Sequence, residues 1–198
     1  MHKSRLDLQF AFLDETDRLK SVLRATTLCD GSRRENSGEH SWHIALYALT
    51  LAEHAGPGVS IDRVIRMLLI HDLVEIDTGD TPIHAANGQS HGSTALREAE
   101  QRAADRIFGL LPADQAHALR SLWEEFETGD TPDALFARAV DRVQPVMANL
   151  ASGGGTWTEY GVSRAQLEQR VGAKVARGAP VVWTALRDRI DAWFGPGA

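Results

Sequence analysis

Apolar residues recur along most of the chain at intervals of three and four positions, and they seldom alternate with polar residues. This spacing places apolar side chains on one face of an α-helix, whereas a half-buried strand requires alternation. The pattern therefore predicts an all-α fold. A first helix is predicted over residues 6–26. Its buried stripe is expected to consist of Leu6, Phe10, Leu13, Leu19, Val22 and Leu23.

The next two helices are bounded by turn-forming residues. Residues 29–38 are polar and rich in turn formers, which predicts a loop. A second helix is predicted from Glu39 to just before residues 56–58, because Gly followed by Pro stops a helix. Ser60 is a suitable N-cap for a third helix that continues through Ile76. This third helix is apolar on nearly every side, so we expect it to be enclosed at the centre of the fold.

Glycine and proline divide the rest of the chain into further helical segments. The sequence predicts a mobile loop over residues 83–93 and helices over residues 94–110, 112–128 and 132–150. Three consecutive glycines at 153–155 precede an amphipathic stretch at 163–176 and a last helix at 180–194. We expect residues 1–198 to form a single domain with a core over about residues 15–150. The segments at about 160–195 are expected to cover that core or an oligomer surface.

Composition fits a folded globular protein and narrows the choice of partners. The 198 residues are 43% hydrophobic and 24% charged, and the net charge is −6. No cluster of Lys and Arg provides the positive surface that long nucleic acids require, so we expect no such partner. Cys29 is the only cysteine, which suits a reducing compartment. The absence of a long apolar run predicts no membrane segment, and we expect a cytoplasmic protein.

The chemically informative feature is the doublet His71-Asp72 within the helix predicted to be most buried. An unpaired carboxylate in that position would cost several kcal/mol, so it needs a partner. A core histidine satisfied by hydrogen bonds is one explanation. A metal ion is the other, since imidazole and carboxylate suit Mn²⁺, Fe²⁺, Co²⁺, Zn²⁺ or, less well, Mg²⁺.

Two further residues could complete a metal site. His40 lies at the start of the second predicted helix, which precedes the His71 helix and can run antiparallel to it. Asp141 lies on the predicted helix 132–150, opposite the face that carries most of the apolar residues, which favours exposure to solvent. Small alanines on the Asp141 side favour close approach by another helix, and Pro145 makes the backbone irregular there. Periodicity alone does not decide where Asp141 lies.

Three segments together resemble the H…HD…D signature of HD-domain phosphohydrolases: Glu39-His40-Ser41, Ile70-His71-Asp72-Leu73-Val74-Glu75 and Val140-Asp141-Arg142. Further segments resemble the small 5′-deoxynucleotidase branch of this family. These are residues 34–40, Thr78-Gly79-Asp80 and, as in animal members, residues 122–127. The resemblance covers about residues 15–150.

The resemblance implies a fold, a reaction and a set of roles. It implies an all-α protein, typically a homodimer, that releases phosphate from 5′-deoxynucleoside monophosphates. Glu75 would position or protonate groups during hydrolysis, and Asp80 would contact the sugar. A single divalent cation, of a kind the sequence does not specify, would be bound by His40, His71, Asp72 and Asp141. The branch also carries an Arg-Trp pair that contacts substrate. This chain has Arg24-Ala25 instead, which leaves its substrate preference open.

The chemistry of the residues agrees with hydrolysis of a phosphate monoester. A divalent ion polarises a phosphoryl oxygen and lowers the pKa of bound water. Glu75 lies one helical turn after His71 on the same face, which favours an acid or base near the ion over the alternative, a surface charge at a helix end. Arg24, Arg33 and Arg34 are candidates for fork-like contacts to phosphate, and each could instead be a solvated arginine.

Two other functions stay open at this point. One is an HD-type phosphoesterase that acts on a nucleoside triphosphate or a signalling nucleotide. The other is a non-catalytic helical dimerisation module in which the metal is structural, which four protein ligands without an open coordination position would favour.

Overall fold

The computed structural model describes residues 3–85 and 93–195, and it confirms the predicted all-α fold class. Short 3₁₀ segments lie at Asp17–Ser21, Ala52–His54 and His71–Val74, and a π-helical segment lies at Glu168–Gly172. The α-helices are α1 (Arg5–Thr16), α2 (Ser37–Thr50), α3 (Ile61–Ile70), α4 (Glu75–Thr78), α5 (Thr94–Phe108), α6 (Ala113–Thr128), α7 (Pro132–Ala151), α8 (Gly155–Glu159), α9 (Arg164–Leu167), α10 (Ala173–Gly178) and α11 (Pro180–Phe194).

The prediction of one helix over residues 6–26 is wrong in its second half. After α1 and the 3₁₀ segment, the chain forms strand β1 (Leu23–Thr27), which pairs antiparallel with β2 (Arg34–Asn36) inside the predicted loop. Thr26 and Thr27 are β-branched and favour extended backbone. Of the predicted stripe, Leu19 is buried, but Leu6, Phe10, Leu13 and Leu23 are each more than half exposed.

Helix α2 begins two residues earlier than predicted because of a capping box. The Asn36 side chain accepts from the Glu39 amide, and the Glu39 carboxylate accepts from the Asn36 amide. The predicted helix through Ile76 is instead three pieces, since α3 ends at Ile70 and a 3₁₀ turn leads into α4. Ser60 holds the N-cap position of α3, and its amide donates to Asp133 Oδ1 at 2.6 Å.

The later helices agree closely with the prediction. Helices α5, α6, α7 and α11 begin and end within about three residues of the expected positions. The predicted amphipathic stretch at 163–176 is interrupted by the π-helical segment. Residues 86–92 of the predicted loop lie outside the described part of the chain.

Helix α7 lies at the centre of the main core. It contacts α2, α3 and α6, and it also contacts α10 from the C-terminal segment. The contact with α10 is close, because a Cβ atom on Gly178 would lie 2.0 Å from the Leu135 carbonyl oxygen. As a result α7 buries residues on opposite faces, including Ala134, Phe136 and Asp141. A second apolar cluster packs α5 against α1 and the His71–Val74 turn. Among the described residues, no helix is long and apolar enough to cross a membrane.

Candidate metal centre and active-site pocket

His40, His71 and Asp72 form a buried cluster in which one ligand atom from each lies within 4.8 Å of the others. His40 lies in the first turn of α2, and the other two begin the 3₁₀ turn after α3. The adjacent residues 71 and 72 both reach the same point, which lies between this turn and the first turn of α2. The cluster therefore brings together the two segments of the chain, at His40 and at His71-Asp72, that the sequence analysis proposed for one site.

The two imidazoles are oriented so that their Nε2 atoms face the cluster. His71 Nδ1 lies 2.9 Å from the Leu68 carbonyl oxygen, which can only accept, so Nδ1 carries the proton. His71 Nε2 is buried, lies 2.9 Å from Asp72 Oδ1 and makes no aligned hydrogen bond among the described residues. His40 Nδ1 is engaged by Gln144 Oε1 at 3.0 Å. Both Nε2 atoms thus point to the position that a cation would take.

Asp141 joins this cluster from α7. Its Oδ1 lies 3.0 Å from His40 Nε2 and 3.8 Å from His71 Nε2, and the residue is 8% exposed. The helical pattern that favoured exposure of Asp141 was therefore misleading, because α7 is covered on more than one face. Pro145 lies inside α7 and lines the adjacent cavity.

The electrostatics of the cluster favour a cation between its carboxylates. Burial lowers the pKa of His71, but Asp72 and Asp141 outweigh it and raise that pKa to about 10. Burial raises the pKa of Asp141, whereas Arg142, His40 and His71 lower it well below its usual range. The protein thus stabilises positive charge on the imidazoles strongly, and a divalent cation supplies such charge with imidazole and carboxylate as its usual ligands. The residues present fit a metal ion.

Arg24 projects from β1 into a group of acidic side chains beside the cluster. Its Nη1 donates to Asp72 Oδ2 at 2.9 Å and lies 3.5 Å from Asp80 Oδ1 and 3.8 Å from Glu75 Oε1. Its Nε lies 3.3 Å from Glu35 Oε1. Burial lowers the pKa of Arg24, but Asp72, Glu75 and Asp80 raise it above the ordinary value, so the guanidinium stays charged.

Glu75 and Asp80 both line the cavity next to the cluster. Burial and the nearby Asp72 raise the pKa of Glu75 well above its ordinary value, although Arg24 acts in the opposite direction. The Ser37 hydroxyl donates to Glu75 Oε2 at 2.5 Å. Burial also raises the pKa of Asp80, which accepts a 3.3 Å hydrogen bond from the backbone amide that follows Arg24. Glu75 therefore keeps its proton to higher pH than an exposed glutamate does.

The cavity has a volume of about 810 Å³ including its open mouth. The charged side chains of its lining lie together through the contacts given above, and we call them the charged end: Arg24, Asp72, Glu75, Asp80 and Asp141. The rest of the lining combines apolar and aromatic side chains, namely Ile83, Pro145, Val146, Trp157, Tyr160 and Val171, with polar ones that include His84, Glu100, Arg142, Asn149 and Thr156. No motif in the sequence marks Trp157 or Tyr160 as a site residue.

The other two arginines with a predicted phosphate contact lie elsewhere. Arg33 makes a paired contact with Glu39 through Nη1 and Nη2, at 2.8 and 2.7 Å. Arg34 pairs with Glu159 at 2.9 Å and also donates to the Ala25 carbonyl. Neither residue is among those that line the cavity. A contact of Arg33 or Arg34 with phosphate stays a prediction, and the structure brings only Arg24 to the charged end.

Two polar residues that the sequence reasoning left without a role lie behind the cluster. Glu35 is 2% exposed and Gln144 is 3% exposed, and they contact each other and His40. Glu35 belongs to the segment 34–40 that resembles the deoxynucleotidases, so the sequence did contain a signal for it. Gln144 follows Asp141 by three positions, which places it on the same side of α7.

Known proteins resemble this chain in sequence and in structure. Human 5′-deoxynucleotidase HDDC2 is 29% identical over 147 residues, which are 74% of this chain and 68% of that protein. Its Bos taurus counterpart is 31% identical over 138 residues, which are 69% of this chain and 63% of that protein. The crystal structure of a predicted metal-dependent phosphohydrolase from Magnetospirillum magnetotacticum superposes with a TM-score of 0.88 at 47% identity, and it covers 96% of both chains.

The family model described as the HD domain matches residues 16–183. That range includes both strands, the buried cluster, Arg24 and the aromatic side chains that line the cavity. With the H…HD…D residues brought together by α2, the turn after α3, and α7, the chain belongs to the HD domain family.

Proposed function

We propose that this protein is a metal-dependent phosphohydrolase that releases phosphate from small nucleotides, with 5′-deoxynucleoside monophosphates as its preferred substrates. One observation carries the proposal: Asp72 and Asp141 of the cation-binding cluster, the buried Arg24, and apolar and aromatic side chains all line a single cavity. A nucleoside monophosphate combines the matching groups, a charged phosphate and an aromatic base. The relatives named 5′-deoxynucleotidase support this choice.

In this proposal His40, His71, Asp72 and Asp141 hold one divalent cation. Their identity as imidazole and carboxylate ligands fits Mn²⁺, Fe²⁺, Co²⁺ or Zn²⁺, and Mg²⁺ less well. When bound, such a cation polarises a phosphoryl oxygen and lowers the pKa of water to near neutrality.

The protein's own groups then bind the phosphate and supply a proton. Arg24 is the fixed positive group at the charged end, and it neutralises phosphate oxygens that approach Asp72. Hydrolysis breaks the bond between phosphorus and the ester oxygen, and that oxygen must gain a proton. Glu75 holds a proton because burial raises its pKa, so it delivers that proton to the leaving oxygen.

The sugar and the base extend away from the charged end. Asp80 is held by Arg24 and by the amide of Ala25, and its carboxyl is placed to accept from a sugar hydroxyl. The base then lies between Trp157, Tyr160 and the apolar side chains near them. Since Ala25 stands where the 5′-deoxynucleotidase branch has Trp, the preference for deoxyribose rests on the relatives and needs a direct test.

A phosphate-release assay on nucleoside mono-, di- and triphosphates of both sugars, under several divalent metals, tests the proposal. We expect the deoxynucleoside monophosphates to be hydrolysed fastest. Glu75→Gln should lower turnover by about 10²–10⁴-fold while the metal affinity changes by less than about threefold. Glu124→Gln, at a side chain 52% exposed, is the matched control. Faster hydrolysis of triphosphates would contradict the substrate class, and full turnover by Glu75→Gln would remove Glu75 from the mechanism.

We also propose that the chain is a single domain and a cytoplasmic homodimer. Helix α2 exposes Trp42, Leu46 and Leu49, which follow one another by four and three positions and form an apolar stripe on its outer face. A second copy of the chain would cover this stripe. Light scattering of the purified protein tests this, because a homodimer should have the mass of two chains and the mass of one chain would contradict the proposal.

A further inference from the structure

We propose that Glu35 and Gln144 are positioning residues: through Gln144 the Glu35 carboxylate fixes the proton of His40, and directly it fixes the orientation of Arg24. The inference deepens the proposed function and rests on it for the roles of His40 and Arg24. Neither Glu35 nor Gln144 lines the cavity, so neither contacts substrate. Both are nearly inaccessible to solvent, at 2% and 3% exposure, so their polar atoms depend on partners within the protein.

The proposal has two arms, by which we mean the contacts that link Glu35 to His40 and those that link it to Arg24. The first arm links Glu35 to His40 through Gln144. Gln144 Nε2 donates to Glu35 Oε2 at 3.0 Å, and it lies 3.4 Å from His43 Nδ1. A carboxylate only accepts hydrogen bonds, so the NH₂ group of Gln144 must face Glu35. The amide oxygen of Gln144 must then face His40 Nδ1, which lies 3.0 Å away.

This orientation decides where the proton of His40 resides. Since the Gln144 oxygen also only accepts, His40 Nδ1 must donate to it. Without a metal, Nε2 also carries a proton, because it faces the acceptor Asp141 Oδ1 at 3.0 Å. A cation that binds Nε2 would replace that proton, while the proton on Nδ1 stays with the Gln144 oxygen. The acceptor-only chemistry of Glu35 therefore secures, through one amide, the Nδ1 proton and makes Nε2 the nitrogen of His40 that binds a metal.

The second arm joins Glu35 to Arg24. Glu35 Oε1 lies 3.3 Å from Arg24 Nε and 3.5 Å from His40 Nδ1. The contact with Arg24 is an ion pair, since neither Arg24 Nε nor Glu35 Oε1 makes an aligned hydrogen bond among the described residues. The other end of the guanidinium donates from Nη1 to Asp72. The negative charge of Glu35 thus lies on the Nε side of the guanidinium, and the Nη side faces the charged end of the cavity. The same carboxylate supports the metal-binding imidazole and the phosphate-binding arginine.

Two substitutions separate these arms. Gln144→Met keeps the length of the side chain but removes the amide that holds His40, and it leaves the contact of Glu35 with Arg24. Glu35→Gln can still accept from Gln144 through its oxygen, but it turns an NH₂ group toward Arg24 Nε. The matched control is Gln115→Met, because Gln115 makes a comparable amide contact with Gln9 away from the cavity.

The full-length variants are freed of metal and titrated by calorimetry, first with Mn²⁺ alone and then, with Mn²⁺ present, with inorganic phosphate. We expect Gln144→Met to weaken Mn²⁺ binding by about 10–100-fold and to change phosphate binding at saturating Mn²⁺ by less than about threefold. We expect Glu35→Gln to weaken phosphate binding by about tenfold or more, with Mn²⁺ binding within about threefold of the control. Circular dichroism of the metal-free variants confirms that each is folded.

Equal behaviour of both variants and the control in the two titrations would overturn the inference. So would a loss of thermal stability without any change in Mn²⁺ or phosphate affinity, since that result assigns the two residues a purely structural role. Neither titration depends on turnover. A protein that shows the expected affinities but hydrolyses no nucleotide would therefore contradict the proposed function and leave the positioning roles supported.

Discussion

Asp141→Asn tests whether α7 supplies a metal ligand. Asn keeps the volume of the side chain but removes the negative charge that lies 3.0 Å from His40 Nε2. At a metal concentration 100 times the Kd, binding stabilises the native protein by about 2.7 kcal/mol. For a chain of 198 residues, each kcal/mol raises Tm by roughly 2–4 °C, so the wild-type protein should gain about 5–11 °C.

The variant should lose most of this gain. Loss of a direct ligand should weaken binding by at least about 100-fold, which is the upper end of the effect of supporting residues. The same metal concentration then equals the Kd, and the stabilisation falls to about 0.4 kcal/mol, or roughly 1–2 °C.

The assay is thermal unfolding of chelator-treated protein with and without added Mn²⁺. Each variant is compared with its own metal-free form, so that any effect of the substitution on the metal-free protein cancels. Asp130→Asn is the control, because that side chain is 71% exposed and should keep the full shift. A shift for Asp141→Asn equal to that of the wild type would refute the assignment of Asp141 as a ligand.

Three further predictions concern other parts of the molecule. Arg24→Lys keeps the charge but loses the planar fork, so the KM for the nucleotide should rise by about tenfold, and unchanged kinetics would exclude a phosphate contact. Gly178→Ala places a methyl group against the Leu135 carbonyl oxygen and should lower the free energy of unfolding by about 1–3 kcal/mol in urea titrations, whereas Gly56→Ala, where the space is open, should not. Burial and two nearby arginines lower the pKa of His84 from 6.5 to about 4. Below about pH 6.5 the imidazole of His84 is therefore protonated in the unfolded state before it is in the folded state, and the free energy of unfolding falls as the pH drops from about 6.5 to 4. His84→Asn should flatten this pH dependence, and an unchanged slope would show that His84 is not its source.

Helix boundaries set by local chemistry were predictable from the sequence. Helices α6 and α7 are separated by Gly129 and Pro132, and these residues act through their own backbone. The pairing of β1 with β2 was not predictable in this way, because a strand depends on a partner some ten residues away. The break after Ile70 also depends on a distant residue. Trp123 Nε1 donates to the His71 carbonyl at 3.1 Å and so satisfies a backbone group in the tightened turn.

The site shows the same division between local pattern and tertiary contact. His71 and Asp72 could be proposed from the sequence because ionisable groups in an otherwise apolar helix need partners, and His40 could be proposed because it lies on the preceding helix. Helical periodicity could not place Asp141 because it assumes one buried face, whereas α7 is contacted by α2 and α3 and also by α10. The three arginines have the same chemistry in sequence. Only the pairing of β1 with β2 turns Arg24 inward, while Arg33 and Arg34 find acidic partners at the surface.

Glu35 and Gln144 show why such a site is hard to derive from residue types alone. A metal ligand is recognisable from its residue type. A residue that fixes the proton of a ligand acts instead through the direction of its hydrogen-bond donors and acceptors. The direction becomes visible only when Glu35, Gln144 and His40 lie together on three different elements. If the two titrations separate as expected, metal affinity and phosphate affinity share one carboxylate. Substitutions at Glu35 would then alter substrate binding from a position that substrate never reaches.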